Sequence, residues 1–96
     1  MKLETLLKRA GAFQKVQNIA NGPNQLTIRC EKGVIFQSYD SIIAVRLRTD
    51  GKLYLTDKYD YSRTTSKYLN EFCGYTAGEI KKEIAKGNKD IVLLNI

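Results

Sequence analysis

The first candidate binding site in this sequence is a group of basic residues around a tyrosine, all on predicted strands. They are Arg29, Arg46, Arg48, Lys52 and Tyr54. Guanidinium groups bind phosphate oxygens through paired hydrogen bonds, and a tyrosine ring can stack on a nucleobase. The set therefore predicts a partner-binding surface for single-stranded nucleic acid, a nucleotide or an acidic protein surface. The alternative is a solvated sheet face on which long basic side chains cover apolar surface.

A second candidate site lies at the start of a predicted helix that is rich in hydroxyl groups. Its residues are Ser62, Arg63, Thr64 and Lys67. Hydroxyls and free backbone N–H groups at a helix N-terminus suit a phosphate group, and basic side chains add to the attraction. The alternative is a helix cap followed by ordinary solvated polar residues. A helix-turn-helix is disfavoured because a strand precedes this segment.

The composition disfavours catalysis and metal binding. The chain has no histidine, no tryptophan and two cysteines, so the common zinc ligand sets and histidine-based catalytic arrangements are mostly unattainable. Turn formation and helix capping explain the neighbouring carboxylates Asp57 and Asp60. Cys30 on an inward strand face and Cys73 at a helix end are expected to be reduced structural thiols. We therefore predict a non-enzymatic protein without a catalytic residue, metal or cofactor.

Length and charge indicate the size of the molecule and its class of partner. Ninety-six residues suffice for one small domain, predicted over residues 1–96, in which residues 1–20 are a candidate accessory helix. Sixteen lysines and arginines against ten aspartates and glutamates give a formal charge of +6, which favours polyanionic partners. The sequence contains neither a signal-peptide core nor an apolar run of transmembrane length, so we expect a cytoplasmic protein with no membrane partner.

The elements that must position these residues begin with a helix and a strand. Leu3, Leu6, Leu7, Ala10 and Phe13 recur at helical spacing and predict an amphipathic helix over residues 2–16. The turn-forming segment Asn21-Gly22-Pro23-Asn24 then separates this helix from the first predicted strand. Apolar and polar residues alternate from Gln25 to Cys30, which predicts that this strand is half-buried.

Two hairpins are predicted next, each with a three-residue loop that ends in a left-handed glycine. The loops are Glu31-Lys32-Gly33 and Thr49-Asp50-Gly51, between strands over residues 25–30, 34–39, 41–48 and 52–56. The resulting registers place Cys30 opposite Val34, Ile28 opposite Phe36, Val45 opposite Leu55 and Arg46 opposite Tyr54. These registers gather the apolar side chains on one face and leave the basic residues with Tyr54 on the other.

The C-terminal third is predicted to be helical with a short final strand. Asp60 or Ser62 can cap a helix that runs to Phe72, and Thr76 with Glu79 forms a capping-box pattern for a third helix. The predicted inner side of the first of these helices comprises Tyr61, Thr65, Tyr68, Leu69 and Phe72. The whole pattern predicts an α+β fold: an N-terminal helix, an antiparallel β-meander of about four strands, two C-terminal helices and a short final strand.

Four segments resemble a group of small uncharacterised bacteriophage proteins. They are Gln37-Ser38-Tyr39, Ser41-Ile42-Ile43-Ala44, Gly51-Lys52-Leu53-Tyr54-Leu55 and Tyr59-Asp60-Tyr61-Ser62-Arg63-Thr64-Thr65-Ser66-Lys67-Tyr68. The resemblance spans residues 24–86 and depends on Gln-Ser-Tyr and Asp-Tyr-Ser-x-Thr-Thr motifs. It implies a phage origin but assigns no reaction and no functional residue. Small phage proteins of this kind are often non-catalytic binders that neutralise a host system.

The expected function is therefore that of a phage-encoded binding protein. Small size, the lack of catalytic groups and the phage-like pattern predict a stoichiometric inhibitor of a host defence complex, in the manner of an anti-CRISPR protein. Its partner is expected to be a host protein or nucleoprotein complex in the bacterial cytoplasm. The alternatives are a direct nucleic-acid-binding regulator and a sponge for a nucleotide signal. The protein is expected to act as a monomer or homodimer.

Overall fold

The computed structural model describes residues 2–20 and 22–94 and confirms the predicted α+β fold. The helices are α1 (Leu3–Ala10), α2 (Arg63–Cys73) and α3 (Ala77–Ala85). The strands are β1 (Phe13–Asn18), β2 (Gln25–Cys30), β3 (Gly33–Ser38), β4 (Ser41–Leu47), β5 (Leu53–Leu55) and β6 (Ile91–Leu93). Within the described residues the strands form a sheet in sequence order, antiparallel from β1 to β5 and parallel between β5 and β6. Asn21 of the predicted turn lies outside the described residues.

Helices cover both faces of this sheet. On the α1 face, Leu6 and Ala10 are fully buried in a core that also contains Ile35, Val45 and Leu47. The α2 face carries the second core, to which α2, α3 and the sheet all contribute. That core includes Leu69, Ile80, Phe36, Ala44 and Leu55. Because β3, β4 and β5 are buried on both faces, apolar residues run continuously along them instead of alternating with polar ones.

The N-terminal segment differs from its prediction. The helix predicted over residues 2–16 ends at Ala10, and Phe13–Asn18 form β1 at the edge of the sheet, so the meander has five strands. Gly11 ends the helix with φ +85° and ψ −165°, a conformation that glycine adopts far more readily than other residues. The Glu31 carboxylate then accepts the backbone N–H of Ala12 at 2.8 Å, which ties the start of the new strand to the β2–β3 turn.

The β2–β3 hairpin confirms the strand over residues 25–30 but not the predicted pairing. Cys30 pairs with Gly33, so the turn consists of Glu31 and Lys32, and Ile28 lies opposite Ile35 instead of Phe36. Gly33 belongs to the strand, where an added Cβ would lie 2.6 Å from the Arg46 carbonyl oxygen. The prediction was wrong because it required a single apolar face, whereas the sheet buries residues on both.

The β4–β5 hairpin differs from its prediction by one residue. Gly51 has the predicted left-handed conformation, with φ +69°. However, Val45 pairs with Tyr54, and Arg46 pairs with Leu53. Because directly opposite residues share a face, Tyr54 points towards α1 and Arg46 lies on the α2 face. The predicted grouping of Arg46 with Tyr54 is therefore wrong.

The C-terminal helices confirm the predicted capping. The Ser62 hydroxyl accepts the Thr65 backbone N–H at 3.1 Å, and α2 ends at Gly74 in the left-handed conformation. Thr76 and Glu79 form both hydrogen bonds of the predicted capping box at the start of α3. Among the residues that the structure describes, no helix is both long and apolar enough to cross a membrane.

Candidate functional site

The structure separates the residues of the first predicted site, and Tyr54 shows this most clearly. Its side chain is 5% exposed beneath α1, and its hydroxyl donates to Asp50 Oδ2 at 2.6 Å. A ring in this position cannot stack on a ligand, so the prediction that Tyr54 lies on an outward face is wrong. The cause is the one-residue difference in the register of β4 and β5.

The hydrogen bond between Tyr54 and Asp50 belongs to a structural network. Burial is the main reason that the pKa of Tyr54 is raised, and the hydrogen bond to Asp50 raises it further. The same hydrogen bond is the main reason that the pKa of Asp50 is lowered, and the Lys52 backbone N–H, which Asp50 Oδ1 accepts at 2.9 Å, contributes as well. Arg9 of α1 lies 3.7 Å from Asp50 Oδ2. The network therefore joins α1 to the β4–β5 loop.

Arg48 and Lys52 of the predicted site also lie in loop structure. Arg48 Nη2 donates to the carbonyl oxygen of Cys30 at 2.7 Å and to that of Glu31. Its guanidinium thus caps the end of the β2–β3 hairpin. Lys52 lies half-buried beside the β4–β5 turn, where Leu47 donates its backbone N–H to the Lys52 carbonyl oxygen at 3.2 Å.

Arg29 and Arg46 do share a face, and Lys15 joins them there. Lys15 lies opposite Arg29, and Val34 lies between Arg29 and Arg46 in the register of the sheet. Neighbouring strands are about 4.8 Å apart, so the two arginines are separated by about 10 Å across β3. Three cationic side chains therefore follow one line across β1 to β4 on the α2 face. We refer to Lys15, Arg29 and Arg46 as the basic row.

A groove of about 270 Å³ lies between the basic row and the C-terminal half of α2. It is lined by Gln17, Ile19, Thr27, Arg29, Val34, Arg46, Glu71 and Phe72. Within the described part of the chain, the Arg29 side chain makes no hydrogen bond or ion pair, and the Arg46 side chain makes one long contact of 3.4 Å to the Gly51 carbonyl oxygen. The guanidinium groups are therefore free to bind an anion beside an apolar wall, while Glu71 introduces one negative charge.

The second predicted site is partly used by the fold itself. Besides accepting the Thr65 N–H, the Ser62 hydroxyl donates to Thr65 Oγ1 at 3.1 Å. Arg63, Thr64 and Lys67 are exposed, and Lys67 Nζ lies 5.4 Å from the ring centroid of Tyr68. The structure therefore assigns the Ser62 hydroxyl to helix capping and leaves the other three side chains accessible to solvent.

A cavity of about 530 Å³ opens beside the start of α2. We call it the tyrosine cavity; it is lined by Ser38, Tyr39, Asp40, Ser41, Ile43, Lys58, Tyr61 and Thr65. Tyr39 and Tyr61 are 59% and 73% exposed, whereas the hydroxyl-bearing residues Ser38 and Thr65 are buried with their oxygens 3.5 Å apart. The cavity brings together residues of the Gln-Ser-Tyr segment (Ser38 and Tyr39) and of the Asp-Tyr-Ser-x-Thr-Thr segment (Tyr61 and Thr65).

Sequence reasoning missed the contributions of Lys15 and Tyr61. Lys15 was assigned to the predicted N-terminal helix, although Gly11 and the polar residues around Val16 were signals against a long helix. Tyr61 was predicted on the inner side of α2, but it precedes the Ser62 cap, so helical spacing does not apply to it. It is 73% exposed.

The two cysteines and the acidic residues do not add a reactive centre. Cys30 and Cys73 are free thiols, and burial is the main reason that the pKa of each is raised, which disfavours the nucleophilic thiolate. Among the described residues, no group of three or more histidine, cysteine, aspartate or glutamate side chains is arranged to hold a metal ion.

The architecture is that of a small α+β protein in which one sheet separates two helical layers and two concave sites flank α2. A family model described as "Family of unknown function (DUF8033)" matches residues 1–89, and the chain belongs to this family. The match includes α1 and β1 as well as the segment over residues 24–86. No curated protein and no solved structure matches the chain.

Proposed function

We propose that this protein is a non-enzymatic binding protein that engages single-stranded nucleic acid through the basic row and its groove. The observation that carries the proposal is the alignment of Lys15, Arg29 and Arg46 on one face of the sheet. Cationic side chains along a line suit the repeating phosphates of an extended strand, and guanidinium groups bind them through two hydrogen bonds.

The groove supports a single strand in preference to a duplex. Ile19, Val34 and the Phe72 ring form an apolar wall directly beside the arginines. An unpaired base can pack against such a wall, whereas the bases of a duplex are already stacked on one another. Most of the binding free energy would come from phosphate contacts, so the affinity should fall as the salt concentration rises.

In this proposal the protein acts by occupying nucleic acid. A small basic protein that covers the nucleic acid of a host nucleoprotein complex would inhibit that complex stoichiometrically, without catalysis. The formal charge of +6 and the resemblance to phage proteins support an inhibitor of a host defence complex that works in the bacterial cytoplasm. The alternative, a direct nucleic-acid-binding regulator, would instead use the exposed residues Arg63 and Lys67 of α2.

The proposal is tested by fluorescence anisotropy with labelled single-stranded DNA, duplex DNA and RNA at low and near-physiological salt. In the R29E/R46E variant we expect an affinity loss of about tenfold or more at low salt. The slope of the logarithm of the binding constant against the logarithm of the salt concentration should be smaller in magnitude by about two. The matched control is R63E/K67E, which also lowers the formal charge by four, from +6 to +2, but lies outside the groove.

The outcomes separate the two predicted basic sites. Thermal melting of both variants must first show an intact fold. If R29E/R46E binds as tightly as the unmodified protein while R63E/K67E does not bind, the nucleic-acid site is the start of α2 and the groove proposal is wrong. If the unmodified protein binds none of the three probes at low salt, nucleic acid is not its ligand.

A further inference from the structure

We propose that the tyrosine cavity binds a nucleoside monophosphate, independently of the basic row. The cavity combines an aromatic rim, buried hydroxyl groups, a carboxylate and a lysine, which are the groups needed to bind a base and a phosphate together. Its volume of about 530 Å³ is within the range of small-molecule sites, which is about 300–1,000 Å³. The site is lined by residues that do not line the basic groove.

The aromatic rim is formed by Tyr39 and Tyr61. Tyr39 has φ +55°, an uncommon conformation for a bulky residue. Two hydrogen bonds hold it there: the Tyr39 N–H donates to the Asn24 carbonyl oxygen at 2.7 Å, and the Tyr39 carbonyl oxygen accepts from Gln37 Nε2 at 2.8 Å. The backbone that carries the ring is thus fixed before a ligand arrives. A ring presented in this way can stack on a nucleobase.

The inner wall of the cavity has hydrogen-bonding groups that suit the edge of a base. Ser38 and Thr65 present hydroxyl groups, and the Asp40 carboxylate at the mouth can accept from the amino or imino groups of a base. Gln25 lies directly opposite Ser38 on the same face and is fully buried, yet its side-chain nitrogen and oxygen have no hydrogen-bond partner among the described residues. The inner wall therefore lies next to a buried amide whose donor and acceptor atoms are not used by the fold.

The phosphate would bind at the Lys58 side of the cavity. Lys58 Nζ lies 5.8 Å from the Tyr61 ring centroid and forms no ion pair with a described residue. The nearby Asp60 carboxylate is instead paired with Lys81 at 3.1 Å, which reduces its repulsion of an anion. The positive end of the α2 dipole also adjoins the cavity, because Thr65 of its first turn is one of the lining residues. A neutral aromatic ligand would leave this positive region unused.

The experiment is isothermal titration of the full chain with AMP, GMP, CMP and UMP, the matching nucleosides, and inorganic phosphate. We expect at least one monophosphate to bind with a Kd of about 1 mM or lower, and more tightly than its nucleoside or phosphate alone. Y61A should weaken this binding about tenfold or more, because the exposed ring contributes stacking. K58A should weaken binding of the monophosphate but not of the nucleoside.

The control variant is F13A, which removes an exposed aromatic ring from β1, far from the lining of the cavity. F13A and R29E/R46E should both bind the monophosphate like the unmodified protein. If none of the four monophosphates binds at millimolar concentration, or if Y61A binds as tightly as F13A, the proposal is wrong. An oligonucleotide that binds when no monophosphate does would leave the basic-row proposal standing alone.

A competition titration shows whether the base that occupies the cavity belongs to a free nucleotide or to an oligonucleotide strand. A short oligonucleotide that displaces the bound monophosphate from R29E/R46E would show that a base of a strand occupies the same cavity. An oligonucleotide that binds the unmodified protein but leaves the monophosphate in place would show that the cavity takes a free nucleotide. Either result is consistent with the cavity proposal, and the Y61A comparison decides whether that proposal is correct.

Discussion

At the scale of single residues, Gln25 has the least expected environment. It is fully buried under the α2 layer, and its side-chain amide has no hydrogen-bond partner among the described residues. A buried polar group without a partner costs about 1–3 kcal/mol relative to its solvation in water. Such a group is usually kept for a reason other than stability, which fits its position behind the wall of the tyrosine cavity.

Replacing Gln25 with methionine is therefore expected to stabilise the protein. Methionine has a similar length and no hydrogen-bonding requirement, so Q25M should raise the free energy of unfolding by about 1–3 kcal/mol, as measured by urea denaturation. Q17M, on the exposed strand β1, is the control and should change it by about 0.5 kcal/mol or less. A destabilised Q25M would mean that the amide is hydrogen-bonded in solution.

Predictions from the sequence were most accurate where a residue acts on its close neighbours. Ser62 and the pair Thr76 and Glu79 were recognised as caps because each hydrogen bond spans three residues of chain. Tyr54 was misplaced because its face of the sheet depends on the register of β4 and β5, which differs by one residue from the prediction. The basic surface was therefore only partly predictable: Arg29 and Arg46 lie together as expected, but their neighbour Lys15 comes from a strand that was predicted as helix.

At the scale of the elements, the break between α1 and β1 depends on Gly11. Its φ of +85° is strained for any residue with a side chain, and an added Cβ would lie 2.9 Å from Glu31 Oε1. We expect G11A to lower the free energy of unfolding by about 1–3 kcal/mol, as measured by urea denaturation.

The matched control for G11A is G78A, which should have the opposite effect. Gly78 lies within α3, and the nearest heavy atom to an added Cβ is Thr76 Oγ1 at 4.0 Å. Alanine in a helix is more stable than glycine by about 0.5–1 kcal/mol, so G78A should raise the free energy of unfolding by that amount. An unchanged or stabilised G11A would indicate that the helix extends through residue 11 in solution.

The strand registers could not be predicted from the sequence, for one physical reason. A hairpin register can be predicted by requiring apolar residues on one face, but that argument needs the other face to be exposed to water. Here Ile35 and Phe36 are neighbours in β3, and both are fully buried, on opposite faces. The number of helices that would cover the sheet was predictable, but their distribution over two faces was not.

At the scale of the whole molecule, the Arg9, Asp50 and Tyr54 network connects the α1 layer to the sheet. The pKa of Asp50 is lower in the fold than its ordinary value of 3.8, so its contribution to stability is present above that pH and is lost as the pH falls through the lowered pKa. The pKa of Tyr54 is raised above 10.0, so its contribution is present below that pH and is lost as the pH rises through the raised pKa.

We therefore expect a broad stability plateau that falls at both extremes of pH. Thermal melting below pH 4 should show a smaller acid-dependent loss for D50N than for the unmodified protein, because the titrating carboxylate is gone. Part of the loss should remain, since the pKa values of Glu79 and Glu83 are also lowered in the fold. D57N, whose side chain has no partner among the described residues, is the control and should retain the full loss.

The place of β6 in the sheet also affects how the protein folds as it is synthesised. Strands β2 to β5 each pair with the strand that precedes them in the chain, so the meander can assemble before the C-terminal third leaves the ribosome. During that interval β5 is an open edge with unpaired backbone groups, and edges of this kind promote aggregation. Pairing with Ile91–Leu93 covers this edge and makes β6 the edge strand in its place. The buried strand β5 is therefore protected from pairing with other chains once β6 has been made, while β1 and β6 remain the two edges of the described sheet.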